Sequence, residues 1–282
     1  MRQATSPARS WTPMAATAPA SSRARAMGNV LVTGISSGIG AALAQALLRR
    51  GHRVCGLSRR LPDAALAGHP SLHAISADLT DFALVAPAIR QLCDRAGIAG
   101  FDTVFANAGT FGPPPARAER VAAQDFMAVL ALNAGGVKAT LDACLSLPQR
   151  PRQVIASASI SGQRQRAGML SYATSKAALN ALMMTYQIEN PDIFFLPLGL
   201  CNVATPLGQV TIQAGPELPE LYALRQRAGQ PGYVVTPDER AAHILAVLDH
   251  ARGLEPGRFR EIRDLLKSIP DPLQQKVISD DQ

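Results

Sequence analysis

Short apolar runs alternate along the chain with longer segments in which apolar residues recur at helical spacing. The short runs are rich in β-branched residues and predict strands, whereas the longer segments predict helices. Strands that alternate with helices are typical of a doubly wound parallel sheet, a three-layer α/β/α fold. About seven strands are predicted on this pattern. They are Val30–Thr33, Arg53–Leu57, Leu72–Ser76, Thr103–Ala106, Gln153–Ala158, Ile193–Pro197 and Arg258–Arg260.

Helices fill the segments between these strands. A helix-forming segment, Ala41–Arg50, follows the first strand and is ended by Gly51. The longest helical region lies between Glu119 and Leu147, and a later helix should stop at Asn190-Pro191 because proline cannot continue it. No internal repeat divides the chain, so we expect one domain over residues 28–269.

Composition agrees with one large buried core. The chain has 282 residues, of which 47% are hydrophobic and 17% charged. Continuous apolar runs are much shorter than the roughly 18 residues of a membrane span, so we expect no membrane partner.

The two ends of the chain differ from the rest. Residues 1–27 contain four arginines, no acidic residue, and many Ala, Ser, Thr and Pro. We interpret this stretch as a disordered or spurious extension, with Met27 as a possible true start. An organelle-targeting segment is the alternative. Residues 270–282 are expected to form a flexible tail.

The net charge and the cysteine content limit the kinds of binding partner and the cellular compartment that we expect. The formal charge is +7, and without the four arginines of the extension it falls to +3, which suits an anionic cofactor without requiring nucleic acid. The four cysteines form no C-x-x-C pair; Cys55, Cys93 and Cys144 are interpreted as reduced packing residues of a cytoplasmic protein, and Cys201 is given a structural rather than a redox role. The histidines are scattered, without the spacing of a metal site, so no metal is expected.

The candidate chemistry centres on Tyr172 and Lys176. Four residues apart on a helix, a phenol and an ammonium share one face, and the cation favours the phenolate. This pairing predicts a phenol pKa drawn from about 10 toward neutrality, suitable for proton exchange with an alcohol or carbonyl oxygen. Ser159, thirteen residues upstream, is placed by the predicted topology to hold the same oxygen.

A glycine turn follows the first strand. Gly34, Gly38 and Gly40 stand between that strand and the next helix, with Ser36, Ser37 and Ile39 among them. Strand, glycine turn and helix present backbone N–H groups and a positive helix end to a phosphate. The turn therefore predicts a dinucleotide site.

Several motifs in order make the chain resemble the short-chain dehydrogenase/reductase family, over about Gly28 to Arg263. The resemblance implies a Rossmann-type fold and a catalytic tetrad of Asn133, Ser159, Tyr172 and Lys176, with Asn133 holding a water in a proton relay. It also implies that a bound dinucleotide contacts the glycine turn, Asp78, Leu79, Asn107, Ala108, Gly109, Tyr172, Lys176, Val203 and Thr205. Leu200-Cys201 departs from the family's Pro-Gly at the turn before Thr205.

The end of the second strand indicates the type of cofactor. An acidic residue there would bind the adenosine ribose and repel a 2′-phosphate. This chain instead has Ser58, Arg59 and Arg60, and a guanidinium suits a phosphate. We therefore expect NADP(H), with NAD less favoured.

The resemblance implies direct hydride transfer between this cofactor and a small-molecule carbonyl or alcohol substrate, in a homodimer or homotetramer. Two alternatives stay open: a non-catalytic dinucleotide sensor, and a relative that catalyses epimerisation or dehydration. The stretch from Pro206 to Pro237 predicts a mobile lid. Its apolar residues either line a substrate pocket or pack against the core. Arg164 and Arg166 either favour an anionic substrate or lie in solvent.

Overall fold

A computed structural model describes residues 27–211, 213–250 and 253–269 of the chain. Within them lies one sheet of seven parallel strands, in the order β3-β2-β1-β4-β5-β6-β7. The strands are β1 (Asn29–Thr33), β2 (Arg53–Ser58), β3 (Leu72–Ser76), β4 (Thr103–Ala106), β5 (Gln153–Ala158), β6 (Phe194–Gly199) and β7 (Arg260–Glu261).

Helices cover both faces of the sheet, which confirms the predicted three-layer fold. They are α1 (Gly38–Arg49), α2 (Ala64–Ala67), α3 (Phe82–Ala96), α4 (Ala123–Leu130), α5 (Val137–Leu145), α6 (Leu170–Glu189), α7 (Pro206–Thr211), α8 (Pro219–Ala228), α9 (Pro237–His250) and α10 (Ile262–Leu266). The helix α6 ends before Asn190-Pro191, as predicted.

The sheet is buried on both faces because its strands are apolar at successive positions. Side chains of a strand alternate between the two faces. Val32 of β1 accordingly packs in a core with α1 and α9, whereas Leu31 packs in a second core with α3, α5 and α6. This double burial explains why the strands appear in the sequence as short continuous apolar runs.

The chain reverses its winding direction at β1, which pairs with β2 on one side and with β4 on the other. In a parallel sheet of this kind the loops leaving the two neighbouring strands run in opposite directions and open a crevice beyond the carboxyl ends. The glycine turn after β1 and the loop after β4 therefore flank one crevice.

A π-helical segment, Ala131–Gly136, joins α4 to α5 without interruption. The resulting helix, Ala123–Leu145, has 23 residues and is the one helix in the described chain whose length and apolar character would allow it to cross a membrane. This differs from the expectation that no segment approaches a span. The helix is apolar because it packs against α3 and α6, and we interpret it as a core helix of the domain.

The remaining differences from the predicted elements are small. The strand β6 begins one residue later and runs to Gly199, and β7 lies at Arg260–Glu261 rather than Arg258–Arg260. The helix α1 begins at Gly38, within the glycine turn. The interpretations of residues 1–26 and 270–282 fall outside the described residues.

The turn after β6 has an unusual backbone at Cys201. Among the described residues, Cys201 is the one non-glycine residue with a left-handed conformation, at φ 57°. Its thiol donates a 2.9 Å hydrogen bond to Glu261 Oε1. Burial and this carboxylate raise the pKa of the thiol to about 12. The turn leads directly into Val203 and Thr205, so its shape positions the next wall of the crevice.

Replacing Cys201 by Gly and by Ala separates the backbone strain from the thiol contact. Both variants lose the thiol. Both can adopt the left-handed conformation, but only alanine is strained in it. We expect Cys201→Gly to be more stable than Cys201→Ala by about 0.5–1 kcal/mol, because the αL penalty exceeds the unfolded-state advantage of alanine. Urea unfolding measures this difference, and equal stability of the two variants would contradict the assigned strain.

Candidate active site

The glycine turn opens into a cavity of about 460 Å³ at the carboxyl ends of the strands. Gly34 has φ 74°, and a Cβ there would lie 2.9 Å from the Cα of Ala108. At Gly38 a Cβ would lie 3.2 Å from Thr205 Cγ2. No side chain caps the start of α1, so its first N–H groups are available to an anion.

Most of the predicted site residues line this one cavity. They are Gly34, Ser36, Ser37, Gly38, Ile39, Ser58, Arg59, Leu79, Asn107, Ala108, Gly109, Ser159, Tyr172, Lys176, Val203 and Thr205. The exceptions are Gly40, Asp78 and Asn133. Gly40 lies behind the turn, where a Cβ would be 2.1 Å from the Gly34 carbonyl oxygen. Its role is therefore to let α1 approach the turn closely.

Tyr172 and Lys176 lie one turn apart on α6, as their spacing predicts. Lys176 Nζ lies 5.5 Å from the centroid of the Tyr172 ring and donates a 2.7 Å hydrogen bond to the Ser157 carbonyl. Ser159 directly follows β5, its hydroxyl accepts a 3.1 Å hydrogen bond from the Ser161 N–H, and it lines the cavity beside the phenol, whose pKa it lowers. Three side chains from two elements thus meet at one point in the cavity wall.

The pKa values of this pair differ from the prediction. Burial raises the pKa of Tyr172 to about 12, with the Ser159 hydrogen bond opposing the rise. Burial also lowers the pKa of Lys176 to about 8. Desolvation favours the neutral form of each group. The ammonium lies over the aromatic ring, and burial is the largest cause of the shift at both groups.

Asn133 lies in the π-helical segment and is completely buried. Its Oδ1 accepts a hydrogen bond from the Thr110 N–H, and its Nδ2 donates to the Thr110 carbonyl and to Ser175 Oγ. Both amide protons are used within the protein, so Asn133 anchors the loop after β4 to α6. The water relay expected of Asn133 stays a prediction.

Sequence reasoning missed a polar ladder that connects the strand ends. Thr33 Oγ1 accepts hydrogen bonds from the backbone N–H groups of Asn107 and Ala108, at 3.0 and 3.1 Å. Ser157 Oγ donates to Asn107 Oδ1 at 3.0 Å. The ladder links β1, β4 and β5 and continues through the Ser157 carbonyl to Lys176. The available signal was the position of these polar residues at the carboxyl ends of apolar strands.

The far end of the cavity carries the predicted cofactor-selecting residues. Ser58 Oγ donates a 2.6 Å hydrogen bond to the Arg60 carbonyl, and the side chains of Arg59 and Arg60 are exposed at the cavity edge. Asp78 accepts hydrogen bonds from the N–H and hydroxyl of Thr80, which lower the pKa of its carboxyl. Asp78 faces an adjoining cavity, which it shares with Arg59.

Comparison with known proteins decides the family. The sequence profile described as short chain dehydrogenase matches residues 28–192, more than half of the chain. The chain belongs to the short-chain dehydrogenase family. This is a family of oxidoreductases that bind a nicotinamide cofactor.

Two protein sequences and one solved structure illustrate the relationship. An uncharacterized oxidoreductase of Myxococcus xanthus (strain DK1622) is 36% identical over 167 residues, which are 56% of this chain and 64% of that protein. The chain thus spans just under two thirds of that relative. Momilactone A synthase of Oryza sativa subsp. japonica is 34% identical over 231 residues, 79% of this chain and 84% of that protein. A solved structure is also similar: the alcohol dehydrogenase from the archaeon Thermococcus sibiricus, complexed with 5-hydroxy-NADP. It has a TM-score of 0.65 and 25% sequence identity, and the match covers 84% of this chain and 96% of that protein's chain.

The residues of this short-chain dehydrogenase fit a nicotinamide dinucleotide. The glycine turn supplies a close backbone approach, the uncapped start of α1 supplies N–H donors for a pyrophosphate, and two guanidinium groups stand at the opposite end. Lys176 and Tyr172 line the same cavity. In the described parts of the chain, no group of three or more His, Cys, Asp or Glu side chains is arranged to hold a metal ion.

Burial of Lys176 makes the stability of the cofactor-free protein depend on pH. The pKa of Lys176 is about 8 in the folded chain, below its ordinary value of 10.5. The buried ammonium therefore destabilises the protein fully below pH 8, and the penalty disappears as the pH rises toward 10.5. We expect the stability gain of Lys176→Met over the wild type to be about 2 kcal/mol larger at pH 7 than at pH 9.5, at about 1.4 kcal/mol per pKa unit.

Chemical denaturation at the two pH values measures this difference. Lys138→Met, which removes a side chain 60% exposed on α5, is the matched control and should show no comparable change. A pH-independent difference between wild type and Lys176→Met would mean that the ammonium is solvated.

Proposed function

We propose that the chain is an NADP(H)-dependent oxidoreductase that interconverts a carbonyl compound and an alcohol by direct hydride transfer, with Tyr172 as the general acid and base. The observation that carries the proposal is the meeting of the Tyr172 phenol, the Ser159 hydroxyl and the Lys176 ammonium in the cavity that begins at the glycine turn. When bound, the nicotinamide ring supplies or accepts the hydride.

Tyr172 handles the proton of the reaction. In the reducing direction its hydroxyl donates a proton to the carbonyl oxygen as that oxygen gains negative charge, and in the oxidising direction the phenolate takes the alcohol proton. The pKa of about 12 keeps the phenol protonated at neutral pH, which is the form that donates the proton in reduction. Oxidation requires ionisation, which the nearby ammonium assists.

Ser159 and Lys176 prepare the site for this transfer. The Ser159 hydroxyl, just after β5, favours the ionised form of Tyr172 and lines the cavity where it can also bind the substrate oxygen. Lys176 is held by the Ser157 carbonyl, so its charge stays beneath the reacting groups. Preorganised donors of this kind stabilise developing charge without having to reorient during the reaction.

Tyr172→Phe tests the proposed proton donor. The substitution removes one hydroxyl and retains the ring, so NADPH affinity should stay nearly unchanged. We expect turnover to fall by at least about a hundred- to ten-thousand-fold, the contribution typical of general acid–base catalysis. Initial rates of NADPH oxidation with a panel of ketones and aldehydes give the turnover, and NADPH fluorescence titration gives the affinity.

Tyr186→Phe provides the matched control. Tyr186 lies on the same helix, and its hydroxyl bonds to Asp142 rather than facing the cavity. Its variant should keep wild-type rates. Full activity of Tyr172→Phe would refute the assignment. Cofactor binding by the wild type without turnover of any compound would favour a dinucleotide sensor.

The preference for NADP(H) rests on the charges at the end of β2. The cavity edge there carries Arg59 and Arg60, and the lining of the cavity includes no acidic side chain among the described residues. A 2′-phosphate would gain charge-assisted hydrogen bonds from these guanidinium groups. The Thermococcus sibiricus relative was solved with 5-hydroxy-NADP, which supports the same preference.

Removing Arg59 should therefore weaken one cofactor selectively. We expect Arg59→Ala to lower kcat/KM for NADPH by about ten- to a hundred-fold, as for the loss of one charge-assisted hydrogen bond, and to leave the value for NADH nearly unchanged. Arg50→Ala, which breaks a surface ion pair with Asp249, is the control for loss of a positive charge. A preference for NADH that Arg59→Ala does not alter would refute the assignment.

A further inference from the structure

The wall beyond Tyr172 differs in character from the rest of the cavity. The charged side chains that line the cavity in the described residues are Arg59 and Arg60 at the cofactor-selecting end and Lys176 beneath the phenol. Beyond the phenol the wall is formed by Phe111, Leu207 and Val210. A substrate whose oxygen reaches Tyr172 therefore places its carbon skeleton against apolar side chains.

Phe111 is the side chain nearest the proposed proton donor on this wall. Its ring stacks on the Tyr172 ring, with centroids 5.2 Å apart and planes inclined by 26°. Phe111 is 4% exposed and packs in one apolar cluster with Met169 and with Leu218 and Leu221 of the lid. The ring thus connects the loop after β4 to the lid directly above the reacting point.

The apolar residues of the lid divide into two groups. Leu207 and Val210 of α7 face the cavity, whereas Leu218 and Leu221 are buried against the loop before α6. A Cβ at Gly168 would lie 2.6 Å from Leu218 Cδ1, so this second contact is tight. One part of the lid therefore lines the cavity and another part packs against the domain, so each of the two alternatives expected from the sequence applies to part of it.

The two arginines that could have recognised an anion do not line the cavity. The side chain of Arg166 is only 11% exposed and forms an ion pair with Glu220 of α8, with 3.4 Å between Nε and Oε2. Arg164 is exposed to solvent. A substrate carboxylate on the Phe111 wall would thus lose its hydration without gaining a cationic partner there, which is strongly unfavourable.

We infer that the substrate is a neutral, largely apolar carbonyl compound, and that Phe111 is a specificity-determining residue. This inference rests on the proposed function, because it places the substrate oxygen at Tyr172. The preference of the cavity for a neutral over an anionic ligand can nevertheless be measured by binding alone, without any turnover.

The test uses two ketones, para-acetylbenzoate and its methyl ester, which differ by the negative charge and by one methyl group. Calorimetry at pH 7 measures the affinity of each for the complex of the full chain with NADPH. We expect the ester to bind at least about tenfold more tightly than the acid, because the carboxylate is left desolvated and unpaired. Equal affinity, tighter binding of the acid, or no detectable binding of the ester would overturn the inference.

Two variants show which side chains are responsible for the difference in affinity between the ester and the acid. Leu207→Lys places a cation on the apolar wall and should lower the ester-to-acid affinity ratio by at least about tenfold, as charge-paired contacts allow. Arg166→Gln is the control and should leave the ratio unchanged, because Arg166 is held by Glu220. A selective loss of acid binding in Arg166→Gln would instead assign anion recognition to that arginine and overturn the inference.

The role of Phe111 is tested by substrate size. The benzyl ester of para-acetylbenzoate is larger than the methyl ester by one aromatic ring. In Phe111→Ala the affinity for the benzyl ester relative to the methyl ester should rise about tenfold or more, because removing a ring from a pocket wall admits a larger group. Phe111→Leu preserves most of the apolar volume and should give an intermediate shift. An unchanged preference in both variants would remove Phe111 from this role.

Preferential ester binding without NADPH oxidation would refute the proposed function while preserving the ligand class.

Discussion

Lys176 carries an ammonium group into the protein at the carboxyl edge of the sheet, where its Nζ donates a 2.7 Å hydrogen bond to the Ser157 carbonyl. A buried charge is tolerated only where hydrogen bonds compensate for lost hydration. The compensation here reaches across the sheet, because Ser157 Oγ is bonded to Asn107, and Asn107 is bonded to Thr33. The strands β1, β4 and β5 must keep their mutual register for the ammonium to remain below Tyr172.

The same requirement explains the close packing around the crevice. Gly34 approaches the backbone of Ala108, and Gly40 approaches the carbonyl of Gly34, at distances that leave no room for a side chain. These contacts bring α1 and the loop after β4 near enough to share one cavity. Asn133 adds a second attachment, since it ties Thr110 of that loop to Ser175 on α6. The helix α6 and the glycine turn are thus held by a continuous set of short contacts.

Much of this arrangement was predictable because its signals are local. Doubly buried parallel strands appear as short apolar runs, and the four-residue spacing of Tyr172 and Lys176 is enough to place both on one helix face. The two-residue strand β7 has no such signature, and its predicted position was shifted. Within the π-helical segment around Asn133, Gly135 packs closely against Phe82, a contact that no local pattern encodes. The stacking of Phe111 on Tyr172 and the ion pair of Arg166 with Glu220 are long-range contacts of the same kind.

The pKa values show why burial must be known before chemistry is assigned. From spacing alone, the ammonium was expected to lower the pKa of the phenol, but desolvation is the largest cause of both shifts and acts in the opposite direction on Tyr172. The Tyr172 ring packs in the cluster formed by Phe111, Leu218 and Leu221, so the lid supplies part of that desolvation. The packing of this segment and the proton affinity of Tyr172 are therefore coupled physically. In the proposed function, the apolar wall that excludes water from the substrate would also hold the proton on the phenol until the substrate oxygen is in place to receive it.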